Sequence, residues 1–276
     1  MPSNQAQSSD HVASGGTRSL KSVRLVLANG AVFTGRSFGA SAASAGEVVF
    51  NTAMCGYQEA LSDPSYTGQI LVMTASEIGN YGVNPHDVES GSVAVAGMII
   101  KELSRVSTNH RAQGGLSDWL ADAGIPGLCD IDTRALVRML RSEGAMPGVI
   151  EPDESIPVSE LIQRARGLAS MAGCNLAGEV SPRVLESWGE GLGEWKHGGV
   201  ASRSSDEKGR VVLALDCGAK RNIYRHFIDR GCEVRIAPHD LGAEEILAAC
   251  GKGEIDGLFV SNGPGDPEAV ERTIET

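Results

Sequence analysis

The sequence predicts two domains of different fold class, an α+β domain followed by an incomplete α/β domain with a doubly wound parallel sheet. Three observations support this division. Short runs of β-forming residues with few helical patterns fill residues 22–150, whereas continuously apolar runs alternate with amphipathic helical patterns after residue 210. A polar stretch at residues 201–209 separates the two patterns and is predicted to be a linker.

The first domain, residues 22–200 with its connecting segment, is predicted to have a mainly antiparallel sheet. Its first two strands, at residues 23–27 and 31–34, flank Asn29-Gly30, a dipeptide typical of tight hairpin turns. Further runs of β-forming residues lie at 48–50, 70–73 and 93–100.

Two helices are predicted in the same domain. The clearer one covers residues 133–142, where Asp132 is suited to cap the first turn and Gly144 to end the helix. The second covers residues 159–167.

The second domain, residues 210–276, follows a βαβαβ pattern. Its strands read as continuously apolar, which is typical of strands covered on both faces. Only three strands are predicted, fewer than such sheets usually have, so we expect exposed apolar side chains and a free strand edge. The strands are predicted at 211–215, 233–237 and 257–260, and the helices at 219–229 and 243–250.

Composition excludes several function classes. The net charge of -11 and the pI near 5.0 disfavour a nucleic-acid partner, because no basic stripe is offered to a phosphate backbone. No apolar run approaches the length of a membrane span. None of the six cysteines forms a Cys-x-x-Cys pair, so neither a metal site nor a disulfide framework is indicated. We therefore expect a cytoplasmic protein with reduced thiols.

Residues 1–21 are predicted to be a disordered tail. They are rich in Ser, Gln, Gly and Ala and have no apolar periodicity. The alternative, a transit peptide, is disfavoured by Asp10 and by a single arginine in the stretch.

The most informative motif is the glycine-rich loop at residues 261–267, Ser-Asn-Gly-Pro-Gly-Asp-Pro, which follows the last predicted strand. In open α/β sheets, ligands bind beyond the carboxyl ends of the strands. Gly263 and Gly265 would let the backbone approach a ligand closely. Without other information, a tight turn accounts for the loop equally well.

Several motifs, taken together and in order, resemble the small (glutamine-hydrolysing) subunit of carbamoyl-phosphate synthase. The second domain of that subunit belongs to the class I glutamine amidotransferases. The resemblance runs from about residue 23 to the last residues. Its motifs lie at residues 46–52, 56–59, 63–66 (Asp-Pro-Ser-Tyr), 78–84, 130–134 (Asp-Ile-Asp-Thr-Arg), 218–223 (Gly-Ala-Lys-Arg-Asn-Ile) and 261–267.

The resemblance implies a glutamine-binding site made by both domains. Gly263 and Gly265 would contact glutamine, and Ser65 would reach the same site from the first domain. A turn hydroxyl is the alternative interpretation of Ser65. Ammonia freed from glutamine would pass to a large subunit, which uses bicarbonate, ATP and Mg²⁺ to make carbamoyl phosphate for arginine and pyrimidine synthesis. No cofactor or metal is implied for this chain itself.

The resemblance also implies that the catalytic residues are missing. In the family, the nucleophilic cysteine lies on the strand after the glycine-rich loop, and the histidine and glutamate come later, whereas this sequence ends at Thr276. We therefore expect an N-terminal fragment that does not hydrolyse glutamine by itself. Cys217 sits between a predicted strand and helix, but it lacks the Gly-x-Cys-x-Gly frame of a nucleophile turn.

Two further alternatives remain open at this point. The basic run Lys220-Arg221-Asn222 could bind an anion, or it could be a solvated helix turn or an interface with the partner subunit. The whole chain could instead be a non-catalytic module that docks onto the large subunit or binds a small ligand through its first domain.

Overall fold

The computed structural model describes residues 21–193 and 209–276. Two predicted segments lie outside the described residues. They are the tail at 1–21, apart from Lys21, and the linker at 201–209, apart from Gly209. Within the described ranges, no helix is long and apolar enough to cross a membrane.

Seven strands of the first domain close into a barrel, in the order β1-β2-β6-β5-β4-β3-β7. Four pairings are antiparallel, and the three between β3, β4, β5 and β6 are parallel. Antiparallel pairings are thus the majority, as the sequence predicted, but the sheet is mixed and closes into a barrel, which the sequence did not indicate. The strands are β1 (Ser22–Leu27), β2 (Val32–Gly39), β3 (Ser44–Asn51), β4 (Gln69–Met73), β5 (Gly97–Ile99), β6 (Pro126–Cys129) and β7 (Met146–Glu151).

The predicted Asp132 cap and Gly144 stop are confirmed. The Asp132 carboxylate accepts a hydrogen bond from the Ala135 N–H at 2.9 Å, and Gly144 ends the helix with φ of 90°. The second predicted helix is also present, and three shorter helices were not predicted. The helices of this domain are α1 (Tyr57–Leu61), α2 (Leu116–Asp122), α3 (Thr133–Glu143), α4 (Val158–Arg166) and α5 (Ala177–Val180).

The barrel strands bury side chains on both faces. On β4, Ile70 and Val72 join one apolar cluster, which includes residues of α3, whereas Leu71 and Met73 join another, which includes residues of α2. Because successive side chains of a strand point to opposite faces, this alternation indicates a sheet covered on both sides. All four side chains are fully buried.

The second domain has an open sheet in the order β11-β9-β10-β8. The βαβαβ pattern is confirmed, and its three strands are parallel. A short antiparallel strand, β8, was not predicted, and the first helix begins at Arg221 rather than at residue 219. The elements are β8 (Glu186–Trp188), β9 (Val211–Asp216), α6 (Arg221–Asp229), β10 (Glu233–Pro238), α7 (Ala243–Gly251), β11 (Gly257–Val260) and α8 (Glu271–Glu275).

Helices α6 and α7 cover opposite faces of this sheet. Tyr224 of α6 packs in a cluster with Val234, whereas Ile246 of α7 packs in a cluster with Leu213. Strand β11 pairs only with β9 among the described residues and forms an edge. Leu258 on this edge is 46% exposed, which confirms the predicted exposure of apolar side chains.

Candidate functional site

The glycine-rich loop, residues 261–267, lies beside the loop that follows β9. The Ser261 hydroxyl oxygen accepts a hydrogen bond from the Cys217 N–H at 2.8 Å. Strands β9 and β11 are parallel neighbours, so both loops leave the same edge of the sheet. This is the edge at which open α/β sheets bind ligands.

Gly263 and Gly265 are required by close packing within the protein. A Cβ atom on Gly263 would lie 1.9 Å from the Cys217 carbonyl oxygen, and one on Gly265 would lie 2.4 Å from the Cys174 carbonyl oxygen. Gly265 also has a φ of 83°, which disfavours any other residue. The sequence-based reason for these glycines, approach to a ligand, is therefore incomplete, because the space is taken by the backbone of the same chain.

The amide groups of Gly263 and Gly265 remain available. Neither N–H donates a hydrogen bond within the described part of the chain. Free backbone donors on a rigid loop are suited to bind a carbonyl oxygen or a developing oxyanion. The loop can thus hold a ligand through its N–H groups although its Cα atoms face protein.

A connecting segment of the first domain holds the other end of the loop. The Asp266 carboxylate accepts a hydrogen bond from the Gly173 N–H at 2.8 Å, and the Asp266 N–H donates to the Cys174 carbonyl at 3.0 Å. The bonds from the Gly173 and Glu268 amides hold the pKa of Asp266 below its usual value. This segment carries no local sequence pattern that would predict its contact with the loop.

Ser65 reaches the glycine-rich loop from the first domain. It lies in a short 3₁₀ turn, Pro64–Tyr66, which Asp63 caps by accepting a hydrogen bond from the Ser65 N–H at 2.9 Å. The Ser65 hydroxyl oxygen accepts a hydrogen bond from the Asn262 side chain at 2.8 Å, across 197 residues of sequence. Its hydroxyl therefore faces the loop rather than its own turn, and the structure brings Ser65 together with the loop of Gly263 and Gly265.

Residues of the basic run at the start of α6 bond to carboxylates of the first domain. Lys220 pairs with Asp63 at 2.9 Å. The Glu89 carboxylate accepts hydrogen bonds from the Asn222 N–H at 2.9 Å and from the Asn222 side-chain amide at 2.7 Å. These contacts favour an interface over an anion site or a solvated helix turn. The interface joins two domains of this chain rather than this chain and a partner subunit.

Glu89 is buried at this interface. Burial raises the pKa of Glu89, while the hydrogen bond from the Asn222 N–H and the nearby charges of Arg225 and Lys220 lower it. Arg225 is buried as well, and it donates to the carbonyl oxygens of His86 at 3.1 Å and Val88 at 3.3 Å. The start of α6 and the segment around Glu89 thus form a continuous polar contact.

Two family profiles match separate parts of the chain. The profile of the carbamoyl-phosphate synthase small chain, CPSase domain, matches residues 25–150, and that of glutamine amidotransferase class-I matches residues 213–276. Proteins named carbamoyl phosphate synthase small chain are 44% identical over 255 residues in Rhodopirellula baltica and 41% identical over 264 residues in Salmonella typhimurium. The chain belongs to this family.

The match covers most of the chain and part of each relative. The aligned region is 91% of this chain and 64% of the Rhodopirellula baltica small chain, and 93% of this chain and 68% of the Salmonella typhimurium small chain. A small chain of Vibrio parahaemolyticus, 43% identical over 251 residues, is covered to 65% of its length. The chain therefore spans about two thirds of the length of the small chains it matches.

Within this member of the small-chain family, Cys217 is not suited to be a nucleophile. Its side chain is buried, and burial raises the pKa of the Cys217 thiol. A nucleophilic cysteine needs a lowered pKa instead. Helix α6 begins at Arg221, so Cys217 does not lie in its first turn. Within residues 21–193 and 209–276, no group of three His, Cys, Asp or Glu side chains is placed to hold a metal ion.

Proposed function

We propose that the protein containing this chain hydrolyses glutamine as the small subunit of a carbamoyl phosphate synthase. The ammonia passes to a large subunit, which combines it with bicarbonate and ATP, with Mg²⁺, to make carbamoyl phosphate for arginine and pyrimidine synthesis. The names of the relatives and the class-I glutamine amidotransferase profile support this proposal.

The observation that carries the proposal is the contact between Ser65 and Asn262. It brings a hydroxyl of the small-chain domain to the glycine-rich loop of the amidotransferase domain at 2.8 Å. In the proposed site, the N–H groups of Gly263 and Gly265 bind the glutamine substrate, and Ser65 contacts it from the other side. Such fixed donors orient the substrate and stabilise charge on its carbonyl oxygen when a nucleophile attacks.

We further propose that these 276 residues bind glutamine but do not cleave it. Amide cleavage of this class needs a thiolate and a histidine base. Cys129 and Cys217 are buried, and burial raises the pKa of Cys129 to about 11. The nucleophile, base and orienting glutamate are proposed to belong to the part of the family's small chains that the aligned region does not cover.

The proposed complex is cytoplasmic and contains the large subunit as partner. The cytoplasmic assignment rests on the cysteine spacing in the sequence, which has no Cys-x-x-Cys pair and does not resemble a disulfide framework. ATP and Mg²⁺ are proposed to act on the large subunit only.

The proposal is tested by measuring glutamate release from glutamine by the full-length protein in complex with its large subunit. We expect release together with carbamoyl phosphate formation from glutamine. The 276-residue chain and its Cys217→Ala variant should both remain at background. Release by the 276-residue chain well above its Cys217→Ala variant would contradict our assignment of the nucleophile.

A second outcome would favour the alternative function, a docking or ligand-binding module. In that case the full-length protein binds the large subunit, and the complex makes carbamoyl phosphate from ammonia but releases no glutamate from glutamine.

A further inference from the structure

Helix α6 is capped at its start by a residue of the other domain. Its own N-cap residue, Lys220, makes no side-chain capping bond. Instead, the Glu89 carbonyl oxygen accepts a hydrogen bond from the Arg221 N–H at 3.0 Å, and its carboxylate accepts from the Asn222 N–H. These N–H groups lack partners inside the helix, and a carboxylate there also interacts favourably with the helix dipole.

The cap is costly to displace. Glu89 is only 4% exposed, and a buried carboxylate without its hydrogen bonds is strongly unfavourable. Both carboxylate oxygens are used, one by the Asn222 N–H and the other by its side-chain amide at 2.7 Å. The start of α6 is therefore held in one position relative to the first domain.

The same contacts reach Ser65. The Glu89 N–H donates to the Ser62 hydroxyl oxygen at 2.9 Å. The next residue, Asp63, accepts a hydrogen bond from the Ser65 N–H with one carboxylate oxygen and pairs with Lys220 through the other, at 2.9 Å each. These bonds form a network that connects the two domains at two points. Glu89 bonds to Asn222 at one point, and Asp63 pairs with Lys220 at the other.

The segment before α6 also contacts the glycine-rich loop. Gly218, which precedes α6, packs so closely on this loop that a Cβ atom on it would lie 2.8 Å from Pro264. The segment that leads into α6 thus contacts both halves of the proposed site, the turn of Ser65 through Lys220 and the glycine-rich loop through Gly218. A shift of α6 would move these halves relative to each other.

We infer that Glu89 is a positioning residue of the glutamine site, which caps α6 from the first domain and thereby fixes Ser65 opposite the glycine-rich loop. This inference rests on the proposed function. Glu89 itself is buried and acts through α6, so its loss should weaken glutamine binding without removing a group that touches the substrate.

The test uses the full-length protein in complex with its large subunit. The variants are Glu89→Ala, Glu89→Gln and Asn222→Ala, with Glu59→Gln as the matched control. Glu59 is a partly buried carboxylate of the same domain whose pKa is also raised by burial, but it makes no bond to α6. The measurements are KM and kcat with glutamine, the rate with ammonia, and hydrogen exchange of residues 62–66 and 261–267.

We expect Glu89→Ala to raise KM for glutamine by about tenfold or more, since small displacements of positioning groups have large effects. The rate with ammonia should stay within about twofold, because ammonia bypasses the glutamine site. Glu89→Gln keeps an acceptor for the Asn222 N–H and should restore most of the affinity. Glu59→Gln should leave KM unchanged, and hydrogen exchange should increase at both segments in Glu89→Ala only.

Two results would overturn the inference. One is a KM for Glu89→Ala within about twofold of wild type together with unchanged exchange at both segments. The other is additive effects of Glu89→Ala and Asn222→Ala on KM, because partners in one contact should be non-additive. If Glu89→Ala does not fold, Asn222→Ala decides the matter, since it removes the side-chain amide that donates to Glu89, and a KM within about twofold of wild type then overturns the inference. A wild-type complex that releases no glutamate would contradict the proposed function, whereas the exchange data would still test the positioning role.

Discussion

The two domains solve the problem of sheet edges in different ways. The seven-stranded barrel closes through β1 and β7, so each of its strands has two neighbours. The sheet of the second domain stays open at β11, where Leu258 is 46% and Val260 48% exposed. Closure removes unpaired backbone groups, whereas an open edge leaves them for water or another segment.

This difference shows which domain organises the site. The barrel domain supplies Asp63, Ser65 and Glu89, which lie in the connections between β3 and β4 and between β4 and β5. The second domain supplies the glycine-rich loop and the start of α6, which contact those groups. We conclude that residues of the barrel domain and its connecting segment hold the glycine-rich loop in place.

The largest expected effect is a difference in the free energy of unfolding between two leucine variants, one in each sheet. Leu71 on β4 is fully buried, so Leu71→Ala should lower the free energy of unfolding by about 2–5 kcal/mol through lost contacts and a cavity. Leu258→Ala on β11 should change it by about 0.5 kcal/mol or less, because the side chain is already half exposed. Urea unfolding measures both, and similar losses for the two variants would contradict the contrast.

An intermediate effect is expected in the glycine-rich loop. Gly263→Ala places a Cβ atom against the Cys217 carbonyl, so we expect a loss of about 1–3 kcal/mol in the free energy of unfolding and a displaced loop. Gly257→Ala is the matched control, since nothing lies within 4 Å of its Cβ position. Thermal and urea unfolding of both variants measure the effect. A Gly263→Ala protein as stable as Gly257→Ala would show that the loops are not packed as described.

The smallest expected effect is the pH dependence caused by Glu89. Because burial raises its folded-state pKa, the folded protein binds a proton at Glu89 more readily than the unfolded protein does. The stability of wild type relative to Glu89→Gln should therefore be greatest below the ordinary glutamate pKa of about 4.3 and should decrease as pH rises through the higher folded-state value. Urea unfolding of both proteins at several pH values measures this difference. A difference that grows with rising pH would contradict the sign.

The sequence predicted the second domain better than the first for a physical reason. Its βαβαβ pattern is made of local signals, in which each apolar strand is followed by an amphipathic helix. The barrel depends on non-local pairings, such as that of β1 with β7. Strands β6 and β7 also contain Gly and Pro, which weaken the strand signal, so they were not predicted.

The contacts of the candidate site are also non-local and were therefore hard to predict from the sequence. Ser65, Gly263 and Gly265 were assigned through family resemblance, and their role in glutamine binding stays a prediction. The Glu89 cap could not be predicted, because capping patterns are recognised within a few residues, whereas Glu89 lies 133 residues from Asn222. The packing of Gly265 on Cys174 was missed for the same reason.

Our central claim is that the barrel domain completes the proposed glutamine site of the second domain. Its most direct test is to measure the KM for glutamine of the Ser65→Ala variant in the full-length complex. We predict an increase of about tenfold, corresponding to the loss of one hydrogen bond to the substrate, with the ammonia-dependent rate unchanged. Ser92→Ala, an exposed serine of the same domain, should match wild type. A Ser65→Ala complex with the KM of wild type would contradict the claim.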